Sequence, residues 1–291
     1  MDLRAGLMGI LFALMWSSAF ATTRIIVADA PPLTALAVRF AISGALAVVI
    51  ALALGQSWRL TSAQARSVVV FGLCQNALYL GLNWVAMQKV DASLAAIIAA
   101  SMPLLVAVLG WALRGEVVSR LGLAGLVAGM AGVVLIMASR ISAGADPVSV
   151  ALCVLGALAL AVATLTLRGA STGGNLLMVV GLQMLVGSVA LAVVAVPLEP
   201  HYLRLHPGFI AAFIYQVLVP GVAATLLWFT LVQRVGAVRA STWHFLNPFF
   251  GVAIAALVLG ESIHALDVLG VAIIMAGILA VQWSRQTQAE P

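Results

Sequence analysis

Ten runs of roughly twenty apolar residues, each ended by a breaker or a polar turn, account for nearly the whole chain. Their approximate limits are 4–23, 33–53, 67–87, 92–113, 120–138, 147–167, 175–196, 209–231, 237–259 and 265–283. At the helical rise, about twenty residues cross a hydrocarbon core of about 30 Å, so each run predicts a membrane-spanning helix. Pro31-Pro32, Gly55-Gln56, Asp146-Pro147, Gly173-Gly174-Asn175 and the stretch from Pro197 to Pro207 mark the connections. None is long enough for a separate soluble domain. The first run, with Arg4 before it and Ala19-Phe20-Ala21 near its end, has the outline of a secretory signal. Its counterpart at 147–167 is internal, where cleavage makes no sense, so the run is expected to remain as the first helix.

The pattern repeats. Gln88, Val90, Ala95, Pro103, Glu116, Gly125 and Gly132 return as Gln233, Val235, Ala240, Pro248, Glu261, Gly270 and Gly277, always 145 positions later. The match runs without a gap from Gly72 to Ile136, and Arg39 aligns with Gln183 at an offset of 144. Five helices per copy is an odd number, so the copies must enter the membrane with opposite orientation. The predicted fold is therefore all-α: ten transmembrane helices as two inverted five-helix repeats, residues 1–142 and 143–291, forming one transport unit. Inverted repeats of this kind place a substrate site near the midplane, between the copies, with alternating access by rocking. A duplicated scaffold without transport is the plain alternative.

Composition agrees with lipid as the solvent, at 64% hydrophobic and 8% charged residues and a mean hydropathy of +1.18. A net charge of +5 does not point to nucleic acid when charges are so few. Placed on the ten-helix path, nine basic residues share the side of the termini, four take the other, and Arg39 lies within the second span. That asymmetry predicts cytoplasmic N- and C-termini. Cys74 and Cys153 lie inside spans and carry no disulfide information.

Trp16-Ser17-Ser18 in the first span, the Pro103 and Pro248 spans, and the endings Gly115-Glu116 and Gly260-Glu261 followed by glycine-rich helices form a recognisable set. With them the chain resembles the drug/metabolite transporter superfamily, in particular its EamA-type exporters, over essentially its whole length. Within that group it is similar to bacterial amino-acid exporters of the YddG type. The resemblance implies export of a small molecule, across a range of amino acids, other metabolites and drugs.

No phosphate loop, metal-ligand spacing or Ser/His/Asp set is present, so neither an enzyme nor a cofactor or metal site is expected. His201, His206 and His264 fall in outward loops near Glu199 and Asp267, where solvated histidines are a plainer reading than a metal site. All nine acidic residues lie at span ends or in loops. A proton-coupled exporter usually needs a carboxylate buried in its path, so export down the substrate's own gradient is favoured.

Recognition must then rest on a few polar and aromatic residues. Arg39 either snorkels to the headgroups or faces a cavity, where its fork would receive a carboxylate. Ser241, Thr242, Trp243, His244 and Asn247 precede Pro248, which leaves the His244 carbonyl without its helical donor. The twin segment offers only Ser101 before Pro103, and the two prolines are expected to mark helix breaks beside the cavity. Tyr79 and Asn83 are four apart, with Gln75 a turn earlier and Trp84 alongside, as substrate contacts or interhelical ties. Trp16, with Ser17 beside it, lies mid-span, where an interfacial belt does not explain it; Trp58, Trp111 and Trp283 sit at span ends, where a belt does. Tyr215, Trp228 and Gln183 are secondary candidates. The expected substrate is an amino acid with an apolar or aromatic side chain, stacked by Trp16, Tyr79 and Trp243 and held by Arg39, Asn83, His244 and Asn247. A multidrug or nucleoside-type exporter, possibly coupled to protons, is the rival. The glycines Gly125, Gly129, Gly270 and Gly277 predict close helix contacts. One chain in the bilayer should suffice.

Overall fold

A computed structural model describes residues 3–115, 119–166, 174–200, 202–235, 240 and 242–288. The described chain is helical, with no strand. In order, the main helices are α1 (Leu3–Asp29), α2 (Pro32–Ala53), α3 (Ser62–Ala86), α4 (Ala92–Leu113), α5 (Arg120–Ser142), α6 (Pro147–Thr164), α7 (Leu176–Leu198), α8 (Pro207–Trp228), α9 (Trp243–Leu259) and α10 (Ala265–Ser284). All but α9 are long and apolar enough to cross a membrane; α9 is apolar but shorter.

Local chemistry sets the helix ends. Thr61 and Gln64 form a reciprocal capping box at the start of α3, and Ser119 accepts from the Gly122 N–H at the start of α5. Pro32 and Pro207 occupy first turns, where no backbone N–H is needed. Gly115 and Gly260 close their helices at φ 63° and 68°, a conformation that favours glycine. Two carboxylates cap helices distant in sequence. Glu199 accepts from the Leu33 and Thr34 N–H groups, both at 2.7 Å. Glu261 accepts from those of Ala92 at 2.7 Å and Ser93 at 3.0 Å. Each places negative charge on unpaired N–H donors at the positive end of a helix.

Irregularities recur at the 145-residue spacing. Both proline spans are broken: helix stops at Ala100 and restarts at Met102, while a 3₁₀ turn, Thr242–Leu246, precedes the helix from Asn247. Pro103 and Pro248 stand in the first turn after each break. Helices α3 and α8 each contain a π-helical stretch, Gly72–Leu80 and Val217–Ala223. Nothing in the sequence pattern announced those.

Equivalent helices of the two copies pack on each other. On α2 and α7, Gly44 lies against Gly181 and Leu185, and the Ser188 hydroxyl donates to the Ala37 carbonyl at 2.7 Å. On α5 and α10, Gly125 faces Gly277 and Ala280 while Gly132 faces Gly270 and Ile274. In both seams later residues of one helix meet earlier residues of the other, so the partners run antiparallel. The copies are thus inverted relative to each other, and the glycine contacts are made within the chain. Helix α1 packs on α8 and α9, and α6 repeats this with α3 and α4.

One end of the bundle is knitted by polar links. The Arg24 guanidinium donates to the Met87 and Gln88 carbonyls, and the Arg204 N–H donates to the Asp29 carbonyl. Asp29 also meets His206 at 2.8 Å. Arg140 forks onto Asp267 at 2.7 and 3.2 Å and reaches Asp91 at 3.2 Å.

A candidate substrate cavity

Helices α1, α2, α3 and α8 line a small, partly open cavity. Trp16, Ala19, Phe20 and Thr23 line it from α1, and Arg39 from α2. Tyr79, Leu80, Asn83, Trp84 and Met87 line it from α3, with Gln216 and Pro220 from α8. No Asp or Glu is among these residues.

Arg39 is 5% exposed, so it does not snorkel. The reason lies in α8. Pro220 has no N–H, so the Gln216 carbonyl cannot take an α-helical bond from four residues on, and α8 runs there in π register, Val217–Ala223. The Arg39 Nε donates to that carbonyl at 3.2 Å, and Ser43, one turn along α2, donates to the Val217 carbonyl at 3.3 Å. One edge of the guanidinium is thereby fixed, and no carboxylate pairs with it among the described residues.

Two side-chain amides share the cavity wall. The Asn83 Nδ2 donates to the Tyr79 carbonyl at 2.8 Å, within reach of α6 at Gly156, where a Cβ would come within 2.8 Å of that nitrogen. The Gln216 Nε2 donates to the Ala19 carbonyl at 2.7 Å and to the hydroxyls of Thr22 and Thr23 at 2.9 and 2.8 Å. The oxygens Asn83 Oδ1 and Gln216 Oε1 are buried without a partner among the described residues. A buried orphan acceptor costs about 1–3 kcal/mol.

The structure brings together Trp16, Arg39, Tyr79 and Asn83 from the sequence expectations. It does not place Trp243, His244 or Asn247 on the cavity lining. His244 sits in an aromatic cage, its ring 5.3 Å from Phe12 edge-on and 5.0 Å from Trp228. Its Nδ1 is 2.9 Å from Asn247 Nδ2, and Ser17 donates to the Asn247 carbonyl at 3.2 Å. Trp243 lies over Gly9 of α1, which has no Cβ to obstruct it. The cage touches the cavity through Phe12, 5.8 Å from Trp16. Ser101 is buried and donates to the Ile98 carbonyl at 2.6 Å, at the α4 break.

The other candidates spread out. Trp58, Trp111 and Trp283 are exposed on the outside of the bundle. The Tyr215 hydroxyl pairs with Ser18 at 2.7 Å, the Gln183 backbone carbonyl accepts from Asn76, and Trp228 belongs to the His244 cage. His206 and His264 pair with Asp29 and Asp267. No group of three metal-ligating side chains occurs among the described residues. Asp2, Glu116, Arg168, His201, Arg239, Ser241 and Glu290 lie outside the described residues, as do the side chains of Thr242 and Gln233. Sequence reasoning missed Thr23 and Gln216. A signal for Gln216 existed: its partner 145 positions earlier is the apolar Phe71.

The profile of the EamA-like transporter family matches residues 3–138 and 148–283, two segments whose starts differ by 145. An uncharacterized transporter of Bacillus subtilis, YvbV, is 24% identical over 98% of this chain and 93% of its own length. Protein PecM of Dickeya dadantii is 24% identical over 94% of this chain and 91% of its own. A solved crystal structure of a protein 20% identical superposes with a TM-score of 0.71, covering 99% of this chain and all of the other, and so shares the fold.

Proposed function

Because the chain belongs to the EamA-like transporter family, and is a multi-pass membrane transporter of small molecules, we propose that it exports amino acids with apolar or aromatic side chains. Its ten helices cross a bacterial inner membrane with both termini in the cytoplasm. The substrate is held midway between the two inverted copies, which rock to expose it to either face. The observation that carries this reading is a buried cation without a carboxylate partner in an otherwise aromatic and neutral cavity. The free edge of Arg39 receives the substrate carboxylate. Trp16, Tyr79 and Trp84 enclose its side chain.

With no acid on the lining, the substrate's own gradient supplies the driving force. His244 and Asn247, behind Trp16, support the wall rather than the ligand. Flux from liposomes loaded with a panel of amino acids, nucleosides and cationic dyes tests the reading. Phenylalanine and similar amino acids should exit, at a rate unchanged by an imposed proton gradient. Movement of dyes or nucleosides without any amino acid would overturn it.

A further inference from the structure

We propose that the side-chain oxygens of Asn83 and Gln216 together receive the primary ammonium group of the transported molecule. The proposal deepens the amino-acid reading and rests on it for the identity of the substrate. Both residues are 1% exposed and both line the cavity. Each amide nitrogen is already committed to a backbone carbonyl, which fixes which end of the amide is the donor. Each oxygen is then an acceptor with no donor to meet it among the described residues.

The two oxygens come from equivalent helices of the two copies, α3 and α8. Asn83 stands just after the π-helical stretch of α3 and Gln216 just before that of α8. An ammonium group carries three N–H donors and no acceptor, which complements a pair of unpartnered oxygens. The same Gln216 lends its backbone carbonyl to Arg39. The receivers for the two ends of a zwitterion are therefore tied to one residue. Because both acceptors are neutral and the fixed charge is positive, a lone amine meets repulsion that a zwitterion offsets with its carboxylate. Gln216 thus sets the preference for zwitterions over cations.

The test uses purified full-length protein in lipid nanodiscs. Binding is titrated calorimetrically with phenylalanine, with 3-phenylpropionate, which lacks the ammonium, and with phenethylamine, which lacks the carboxylate. The unaltered protein should prefer phenylalanine over 3-phenylpropionate by about tenfold or more, as hydrogen bonds to a charged group imply. In Asn83→Leu and Gln216→Met that preference should collapse, while 3-phenylpropionate binds as before and so reports an intact fold. Gln216→Glu, of nearly the same size, should instead raise phenethylamine affinity relative to phenylalanine, and it carries the test if Gln216→Met does not fold.

If phenylalanine binds and its preference survives the substitutions, the ammonium is received elsewhere and the proposal is overturned, while the amino-acid reading stands. If phenethylamine alone binds, and loses affinity in the variants, the ammonium site stands and the amino-acid reading fails. Binding of none of the three overturns both.

Discussion

Buried polar side chains in this protein divide into those with a full set of partners and those left short of one. Asp267 belongs to the first kind. It is 1% exposed, takes both prongs of Arg140, and accepts from the backbone N–H of His264. Removing one partner of such a pair leaves a buried charge uncompensated. Asp267→Asn should therefore destabilise the protein toward the lower end of about 3–5 kcal/mol, since Asp91 still faces the guanidinium. Thermal unfolding in detergent, followed by tryptophan fluorescence, measures the drop; no change in midpoint would refute the role. Asn83 and Gln216 are of the second kind, and they lie where a ligand would sit. Of these residues the sequence made Arg39 and Asn83 visible, because polar groups within apolar spans stand out. It could not choose between snorkelling and cavity for Arg39, since burial depends on a partner far away in sequence, the Gln216 carbonyl of α8. Trp243 and His244 drew attention for the same reason as Arg39, yet packing against Gly9 and Phe12 explains much of their placement.

For the helices, the apolar runs located nearly every element, and a proline follows the break at Ser101 and the one before Asn247, though neither helix lines the cavity. The π-helical stretches were not legible, because Gly72–Leu80 and Val217–Ala223 differ from ordinary helix in hydrogen-bond register and not in residue pattern. Glycines showed which helix faces are small but not what lies against them. The structure supplies the partner, and with it a contrast. A Cβ on Gly277 would lie 2.5 Å from the Gly125 carbonyl oxygen and 2.7 Å from the Gly129 Cα, both backbone atoms. Gly277→Ala should force α5 and α10 apart and cost about 1–3 kcal/mol. Gly260 has open space around it but φ of 68°, so Gly260→Ala should cost about 1–2 kcal/mol through backbone strain alone. Crosslinking between cysteines placed on α5 and α10 separates the two, falling in the first variant and staying unchanged in the second.

Over the whole molecule, the repeat read from the sequence becomes two antiparallel seams, α2 with α7 and α5 with α10. Its orientation in the membrane is open to direct test. In a variant lacking Cys74 and Cys153, a cysteine replacing exposed Ser142 should react with a membrane-impermeant maleimide in intact cells. One replacing exposed Ser57 should react only after permeabilisation; the opposite pattern would place the termini outside. By chain position, the end bearing Arg24, Lys89, Arg140 and Arg204 holds six of the nine acidic residues, and the other end holds nine basic residues against three acidic. The bundle is therefore an electric dipole along its own axis. Under an inside-negative potential, each unit of charge carried to the wrong side costs about 2.3 kcal/mol per 100 mV. With the termini in the cytoplasm, the resting voltage would help to keep this chain one way up, while a substrate with one positive and one negative group would cross it without electrical work.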